Sequence, residues 1–417
     1  MSNPLILLVT LNLTLLLPGL GRSGEIPTVL PRQLNVSGKQ LDKAVSLFRQ
    51  AIQEDQLRNV ELMILRDGQI ILHEALGWQN KQAGVPLKRN TLFRMASNTK
   101  AVIATGILLL QEEGKLSVKD PISKHLPAFD NNKCCEITIH HLLTHTSGLR
   151  IKTLFLQPLM KQSKEHPNAP NLQLEVNRFA NVGPAEAVGK TYSYNNPGYN
   201  TLAAIIEVVS GQPLEKFLIK RIYNPLNMTD TSNHPPAEKL NRMAYVYAYK
   251  GGKWTVRFKQ EARMHIPFIR GSGGMVSTTT DYARFCQMYL DQGQLSETRF
   301  LTVRSVEQGT SPQTRSLYTV DQAKERNDFY GYGWKVHADG TFSHSGSEGT
   351  FAWVDPHQRI IGLVFTQSPG GKNPRDQFRE LVTQACGPLP ATRPRRLRTR
   401  IFNLLRQTNK NRSISGE

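Results

Sequence analysis

A serine and a lysine three residues apart carry the first chemical signal in this chain: Ser97 and Lys100, in the run Phe93-Arg94-Met95-Ala96-Ser97-Asn98-Thr99-Lys100-Ala101-Val102-Ile103-Ala104. An extended apolar entry passes there into an alanine-rich, aliphatic segment that predicts a helix to about Glu113, with Ser97 at its start. Residues i and i+3 share a helix face with Cβ atoms roughly 5–6 Å apart, so the lysine amine can reach the serine oxygen. Serine alone is a weak nucleophile and needs a base. Lysine serves as one when desolvation or a neighbouring cation lowers its pKa from about 10.4 toward neutrality. The free N–H groups of a helix start add stabilisation for negative charge that develops nearby. One S-x-x-K is also what composition alone would place in a chain of 417 residues, so its meaning depends on its company.

Three further segments accompany it, in order. His141-Leu142-Leu143-Thr144-His145-Thr146-Ser147-Gly148-Leu149 follows a short strand-like run, and Tyr192-Ser193-Tyr194-Asn195-Asn196-Pro197-Gly198-Tyr199-Asn200 precedes a helix pattern. Phe342-Ser343-His344-Ser345-Gly346-Ser347-Glu348-Gly349 comes late. With S-x-x-K, these segments resemble the serine β-lactamase-like superfamily, which joins class C β-lactamases, D-alanyl-D-alanine carboxypeptidases, D-aminopeptidases and related esterases. The resemblance spans about residues 40–386. It implies an α+β fold of the β-lactamase/transpeptidase type, an antiparallel sheet flanked by helices plus a mostly helical lobe. It also implies roles: Ser97 as nucleophile, Lys100 and Tyr194 passing its proton, and Asn196 of the Y-x-N element holding substrate and lysine. His344 and Gly346 then belong to a substrate-binding strand, and the N–H groups of Ser97 and Ser347 form an oxyanion hole. The resemblance calls for no metal and no organic cofactor.

The chemistry so implied is hydrolysis of an ester or amide through an acyl-enzyme, on a small-molecule or peptide substrate such as a cell-wall fragment. A D,D-carboxypeptidase or penicillin-binding protein and a class C-like β-lactamase are the alternatives within that chemistry. A non-catalytic binding protein on the same scaffold is the alternative outside it. Acid–base reasoning adds three expectations. Beside a lysine ammonium the Tyr194 phenol should fall below its usual pKa near 10, so that the two titrate as a pair, and which of them takes the serine proton stays open. His344 stands where β-lactamases more often carry the lysine of Lys-Thr-Gly; a largely neutral imidazole should weaken carboxylate recognition and favour ester or peptide substrates. Gly346 is expected because a Cβ there would obstruct a substrate along the strand edge.

His140, His141 and His145 raise zinc, since two are spaced i, i+4, but H-E-x-x-H needs a glutamate where Leu142 stands. Four cysteines show no C-x-x-C spacing; Cys286 falls on a buried helical face, and a bridge from Cys134 or Cys135 to another is permitted in an exported protein. The net charge of +19 raises nucleic acid, yet Arg393–Arg412 holds eight Lys or Arg and no acid, and no zinc finger, RNP pattern or stacking array accompanies it. Leu397, Ile401, Leu404 and Leu405 alternate with those cations, so the tail can rest on a membrane or an acidic polymer or remain solvated.

The elements that must position these groups follow from apolar patterning. Strands are expected near Val60–Leu65, Gln69–Trp78, Gly333–Val336, Phe342–Gly346, Thr350–Val354 and Ile360–Gln367, so that both chain ends build the sheet. Helices are expected at Asn200–Ser210 and Thr280–Leu290, and a shorter helical run at Leu172–Val182 lies in a segment expected to wall the cleft. The division is then a secretory leader at 1–21, a linker at 22–38, a catalytic domain at 39–386 with its helical lobe at about 115–291, and a basic tail at 387–417. The leader's apolar run, Leu5 to Leu17, is shorter than a spanning helix, and an exported protein, periplasmic, secreted or membrane-anchored, is the expectation.

Overall fold

The computed structural model describes residues 25–260, 268–295 and 298–387; the expected leader and nearly all of the basic tail lie outside them. The sequence Asn59–Arg66 (β1) is buried along its whole length because both faces of the strand are covered. Val60, Leu62 and Ile64 enter one apolar cluster while Met63 and Leu65 enter another, the period-two alternation of a strand inside a layered fold. The other strands of this sheet are β2 (Gln69–Asn80), β3 (Val85–Pro86), β4 (Asp328–Tyr330), β5 (Lys335–His337), β6 (Phe342–Ser345), β7 (Thr350–Asp355) and β8 (Ile360–Phe365). Their order is β4-β5-β6-β7-β8-β1-β2-β3, antiparallel throughout, so the first and last strands in sequence order, β1 and β8, pair in its interior.

One face is covered by α1 (Gly38–Gln53) and α6 (Arg375–Cys386), with Phe48 and Phe378 meeting edge to face at 5.4 Å. Trp353 fills this layer, and only a glycine fits beneath it: a Cβ at Gly362 would stand 2.1 Å from the indole. On the other face lie α2 (Thr99–Glu112) and α5 (Thr279–Leu290). Every residue of α2 from Thr99 to Leu110 is buried, as expected of a helix that is apolar all round and sits at a core's centre. Packed on α2 is α4 (Asn196–Ser210), and α3 (Leu172–Val182) packs on α4.

Two elements differ from the sequence expectation for local reasons. α4 begins at Asn196, not Asn200, because the Asn195 side chain accepts from the Gly198 N–H as an N-cap and Pro197 occupies the first turn. The strand expected at Gly333–Val336 sits at Lys335–His337, and β4 precedes it. A hairpin, Val246–Lys250 with Lys253–Phe258, also interrupts the region expected to be mostly helical. All four cysteines are free, Cys134, Cys286 and Cys386 buried and Cys135 exposed, so the permitted bridge is not formed. Among the described residues no helix is long and apolar enough to cross a membrane.

Candidate active site

Ser97 lies in a tight turn, Ala96–Asn98, that leads into α2. Ala96 has φ of 44°, a left-handed conformation that costs an L-residue about 1–2 kcal/mol and therefore persists only if neighbours hold it. They do. The Asn98 amide lies 2.9 Å from Thr350 Oγ1, Thr350 Oγ1 donates to Met95 O at 3.2 Å, and Tyr282 donates to Asn98 O at 3.2 Å. The end of β6 presses against the same turn. A Cβ on Gly346 would stand 2.3 Å from Thr350 Oγ1 and 2.5 Å from Met95 O. The glycine is therefore required by the turn that carries Ser97, a reason that the sequence alone did not show.

Gly346 N donates to Thr350 O at 2.6 Å, toward β7. Strand alternation turns the amide of Ser345 to the opposite edge, where β5 stops pairing with β6 at Ser343, and Ser347 follows in the turn to β7. Both serines are exposed there. The result is a short stretch of strand edge without a partner strand, which continues into Gly346 against the turn that carries Ser97.

Lys100 is fully buried in the first turn of α2, three residues after Ser97. Its Nζ donates to Asn196 Oδ1 at 2.9 Å and to Ser272 O at 2.8 Å, and lies 3.2 Å from Ser97 Oγ. The first two partners can only accept, so a neutral amine spends both N–H groups on them and points its lone pair at the Ser97 hydroxyl. Burial lowers the Lys100 pKa to about 7, which makes that neutral form abundant near neutrality. Geometry and acidity thus agree on a proton acceptor for Ser97.

Tyr194 behaves differently from the sequence expectation. Its ring stands partly in the cleft, 43% exposed, with its hydroxyl hydrogen-bonded to Ser97. Lys100 Nζ lies over the ring face, 4.8 Å from its centre, and does not meet the phenol oxygen. Burial of the polar end outweighs the serine contact and pushes the pKa up to about 12, where proximity to lysine was expected to bring it down. Tyr194 therefore rests as a neutral phenol near neutrality.

His344 is buried, 6% exposed, and its ring faces inward. Its Nδ1 lies 3.0 Å from Ser345 O, which can only accept, so Nδ1 carries the proton and Nε2 accepts from the Tyr330 hydroxyl at 3.0 Å. Burial, then the charge of Lys100, lower its pKa to about 3, so the ring is neutral and both nitrogens are engaged. His145 forms the floor of the site. Its ring is 4.3 Å from that of Tyr194 and 4.7 Å from Tyr330, its Nδ1 accepts from Asn195 N at 3.2 Å, and its carbonyl accepts from Ser193 N at 2.9 Å. The histidine-rich segment thus braces the Tyr194–Asn196 loop. His141 accepts instead from Thr138 N, and His140 meets Tyr332 at 2.9 Å; among the described residues no group of three potential ligands is placed to hold a metal ion.

The sequence model of the Beta-lactamase family matches residues 44–385. The chain belongs to that family. An uncharacterized protein of Mycobacterium tuberculosis is 26% identical over 374 residues, 80% of this chain and 90% of its own length. Penicillin-binding protein 4* of Bacillus subtilis is 30% identical over 288 residues, 66% of this chain and 59% of that protein, so it extends well beyond the matched region. Among solved structures, EstCE1, described as a hydrolase with promiscuous acyltransferase activity, superposes with a TM-score of 0.69 at 21% identity, over 82% of this chain and 98% of that one. The octameric penicillin-binding protein homologue from Pyrococcus abyssi gives 0.64 at 24% identity, over 80% and 75%. The β-lactamase/transpeptidase fold is thereby established, and with it membership of the serine β-lactamase-like superfamily.

In this β-lactamase-family chain the structure brings together Ser97, Lys100, Tyr194 and Asn196, sets Gly346 against the turn that carries Ser97 with Ser347 next to it in the chain, and places the His344 ring behind the strand that carries it. Sequence reasoning missed three contributors. Ser272 acts through a backbone carbonyl, which no side-chain type announces; the only trace is the run Gly271-Ser272-Gly273-Gly274, where a Cβ on Gly271 would stand 2.2 Å from Tyr199 O. Tyr330 carries no motif. Arg375, at the start of α6, reaches Ser345 Oγ at 3.4 Å from a distant part of the chain.

Proposed function

We propose that this protein is a serine hydrolase that works through an acyl-enzyme on an ester or amide. The observation that carries the reading is the Lys100 amine, buried, bound by two obligate acceptors, and left with its lone pair on Ser97. Lys100 takes the Ser97 proton as Oγ attacks the carbonyl carbon, and the C=O electron pair moves to an oxyanion facing the N–H groups of Ser97 and Ser347. When the oxyanion collapses, the bond to the leaving group breaks. That group takes a proton from the Tyr194 phenol, and the proton held by the Lys100 ammonium returns to the phenol oxygen by way of water in the cleft, since the amine does not touch that oxygen. Water, or another hydroxyl or amine, then attacks the acyl-enzyme by the reverse path and frees Ser97. Asn196 holds both the lysine and the substrate side of the site.

Neutral esters and peptide amides fit better than substrates that need a strong carboxylate anchor, because His344 supplies no charge at the strand. A D-amino-acid peptide or ester derived from cell wall is the substrate class this favours, with an exported location to match. The test is to incubate the purified protein with a fluorophosphonate, a fluorescent penicillin and a panel of p-nitrophenyl esters, and to map adducts by mass spectrometry. Labelling of Ser97 with ester turnover is expected. Folded protein that none of the three acylates at Ser97 would overturn the reading, and rapid cephalosporin turnover would move it to a β-lactamase.

A further inference from the structure

Lys100 is aimed partly by a carbonyl, and a carbonyl is only as well placed as the residue that carries it. Ser272 O accepts from Lys100 at 2.8 Å, and the N–H of the same residue donates to Asn200 Oδ1 at 3.1 Å. Asn200 Nδ2 in turn donates to Glu175 Oε1 at 3.2 Å. The orientation of that amide is fixed from both ends, since a backbone N–H only donates and a carboxylate only accepts. Glu175, on α3, is 1% exposed and pairs with Arg270, whose Nη2 lies 2.8 Å and 3.0 Å from the two carboxylate oxygens. Arg270 also donates to Phe155 O at 2.8 Å, and its guanidinium lies 4.4 Å from the centre of the Phe155 ring. An unbroken line of polar contacts therefore runs from the cleft-wall segment, through α3 and α4, to the amine.

A carboxylate and a guanidinium withdrawn from water are less stabilising than apolar residues of similar volume unless they do something else. Glu175 touches neither Ser97 nor Lys100. Lys100 itself is faced by the rings of Tyr194 and Tyr199 at 4.8 Å and 5.6 Å and by the neutral imidazoles of His145 and His344, with Ser97, Asn196 and Ser272 as its hydrogen-bond partners. We infer that Glu175 and Asn200 are positioning residues for Lys100, acting through the backbone of Ser272, whose N–H Asn200 holds on one side of its Cα while the carbonyl on the other side, in the peptide whose Gly273 N–H donates to Arg270 O at 3.4 Å, receives Lys100. The inference rests on the acyl-enzyme reading. Without Asn200 the N–H side of Ser272 is released, the backbone angles of that residue can change, its carbonyl shifts from Lys100, and the lone pair of the amine is no longer confined to Ser97.

The test compares Asn200→Ala, Asn200→Asp and Glu175→Gln with the wild type, using fluorophosphonate labelling of Ser97 and steady-state hydrolysis of p-nitrophenyl acetate from pH 5 to 9. Asn200→Ala should lose roughly 10-fold to 10²-fold in labelling rate and kcat, the scale of a misplaced reacting group, with KM nearly unchanged. Its ratio to the wild type should be flat with pH. Asn200→Asp keeps the acceptor for Ser272 N but sets a second carboxyl beside Glu175, so the two must share a proton. Its rescue should be good at acid pH and fade as pH rises, a signature that mere destabilisation does not produce. Glu175→Gln keeps an oxygen for Asn200 and should lose less than Asn200→Ala. If Asn200→Ala does not fold, the pH ratio of the near-isosteric Asn200→Asp decides. Wild-type rates with a flat ratio in the variants overturn the positioning role alone, as does a loss confined to KM. A wild type that never labels at Ser97 overturns the acyl-enzyme reading, and this inference with it.

Discussion

Ser97 has two unlike sides. Toward the interior stand Lys100, Asn196, Ser272 and the His145 floor, packed among helices with each donor of the neutral amine assigned to an acceptor. Toward solvent stands the free edge of β6, where Ser345 and Ser347 are exposed and Arg375 reaches over Phe351, 4.9 Å from its ring centre, to touch Ser345. Packing fixes the first side, so it determines which reaction is possible. The second is held by one strand and a few long side chains, so it determines what binds. Substitutions should divide accordingly: interior changes should act on all substrates alike, and edge changes should sort among them.

The largest effect should come from the interior. Lys100→Ala should lower the acylation rate by about 10²–10⁴, the usual share of a general base, for every probe tested; acylation at the wild-type rate would remove lysine from the mechanism. In the wild type that rate should rise with pH through a midpoint of about 7 and then level off. Stability carries the same signature with a defined sign. Because the folded pKa of Lys100 lies below its unfolded value of about 10.5, the unfolded chain binds the extra proton between those two points. The cost is full below pH 7 and fades above it. The stability of the wild type relative to Lys100→Met should therefore increase from pH 7 toward 10.5, on the order of a few kcal/mol, as chemical denaturation can measure. A difference that stays constant over this range would mean that the amine is hydrated.

Tyr194→Phe should cost about 10² to 10³, more for amides than for p-nitrophenyl esters, whose leaving group needs no proton; equal losses for both would argue against proton donation. Gly346→Ala joins the two sides and should affect both. Its Cβ would push β6 away from the Ser97 turn, so acylation should fall by about 10² and stability by about 1–3 kcal/mol. Retention of both would show that the turn yields easily. Arg375→Ala should have the smallest effect, a change of a few-fold confined to substrates bearing a carboxylate near the strand edge, as expected of an exposed ion pair. An equal change for neutral esters would mean that the edge is not selecting by charge.

The same contrast explains what could be read from sequence. Ser97 and Lys100 are tied by helix geometry, and Tyr194 and Asn196 lie within one capped turn, so local spacing was enough to nominate them. β1 and β8 were legible because each alternates apolar residues between two buried faces. Ser272, Glu175 and Arg375 reach the site only when remote segments fold together, and one of them acts through its main chain. The wrong acidity assigned to Tyr194 has the same origin: proximity to Lys100 could be inferred, but not that the amine would sit over the ring while burial governed the hydroxyl.

The pairing of β1 with β8 also sets an order of events in synthesis. A nascent chain can form α2 with Ser97 and Lys100 early, but the strand that seats against the nucleophile turn and the partner that closes the interior of the sheet are made last. Contacts between such distant segments are slow to form, and until they do β1 presents an unpaired edge. The growing polypeptide should therefore be chemically silent and in need of protection from aggregation, and its serine should become reactive only once β6 to β8 have been made and are free to fold.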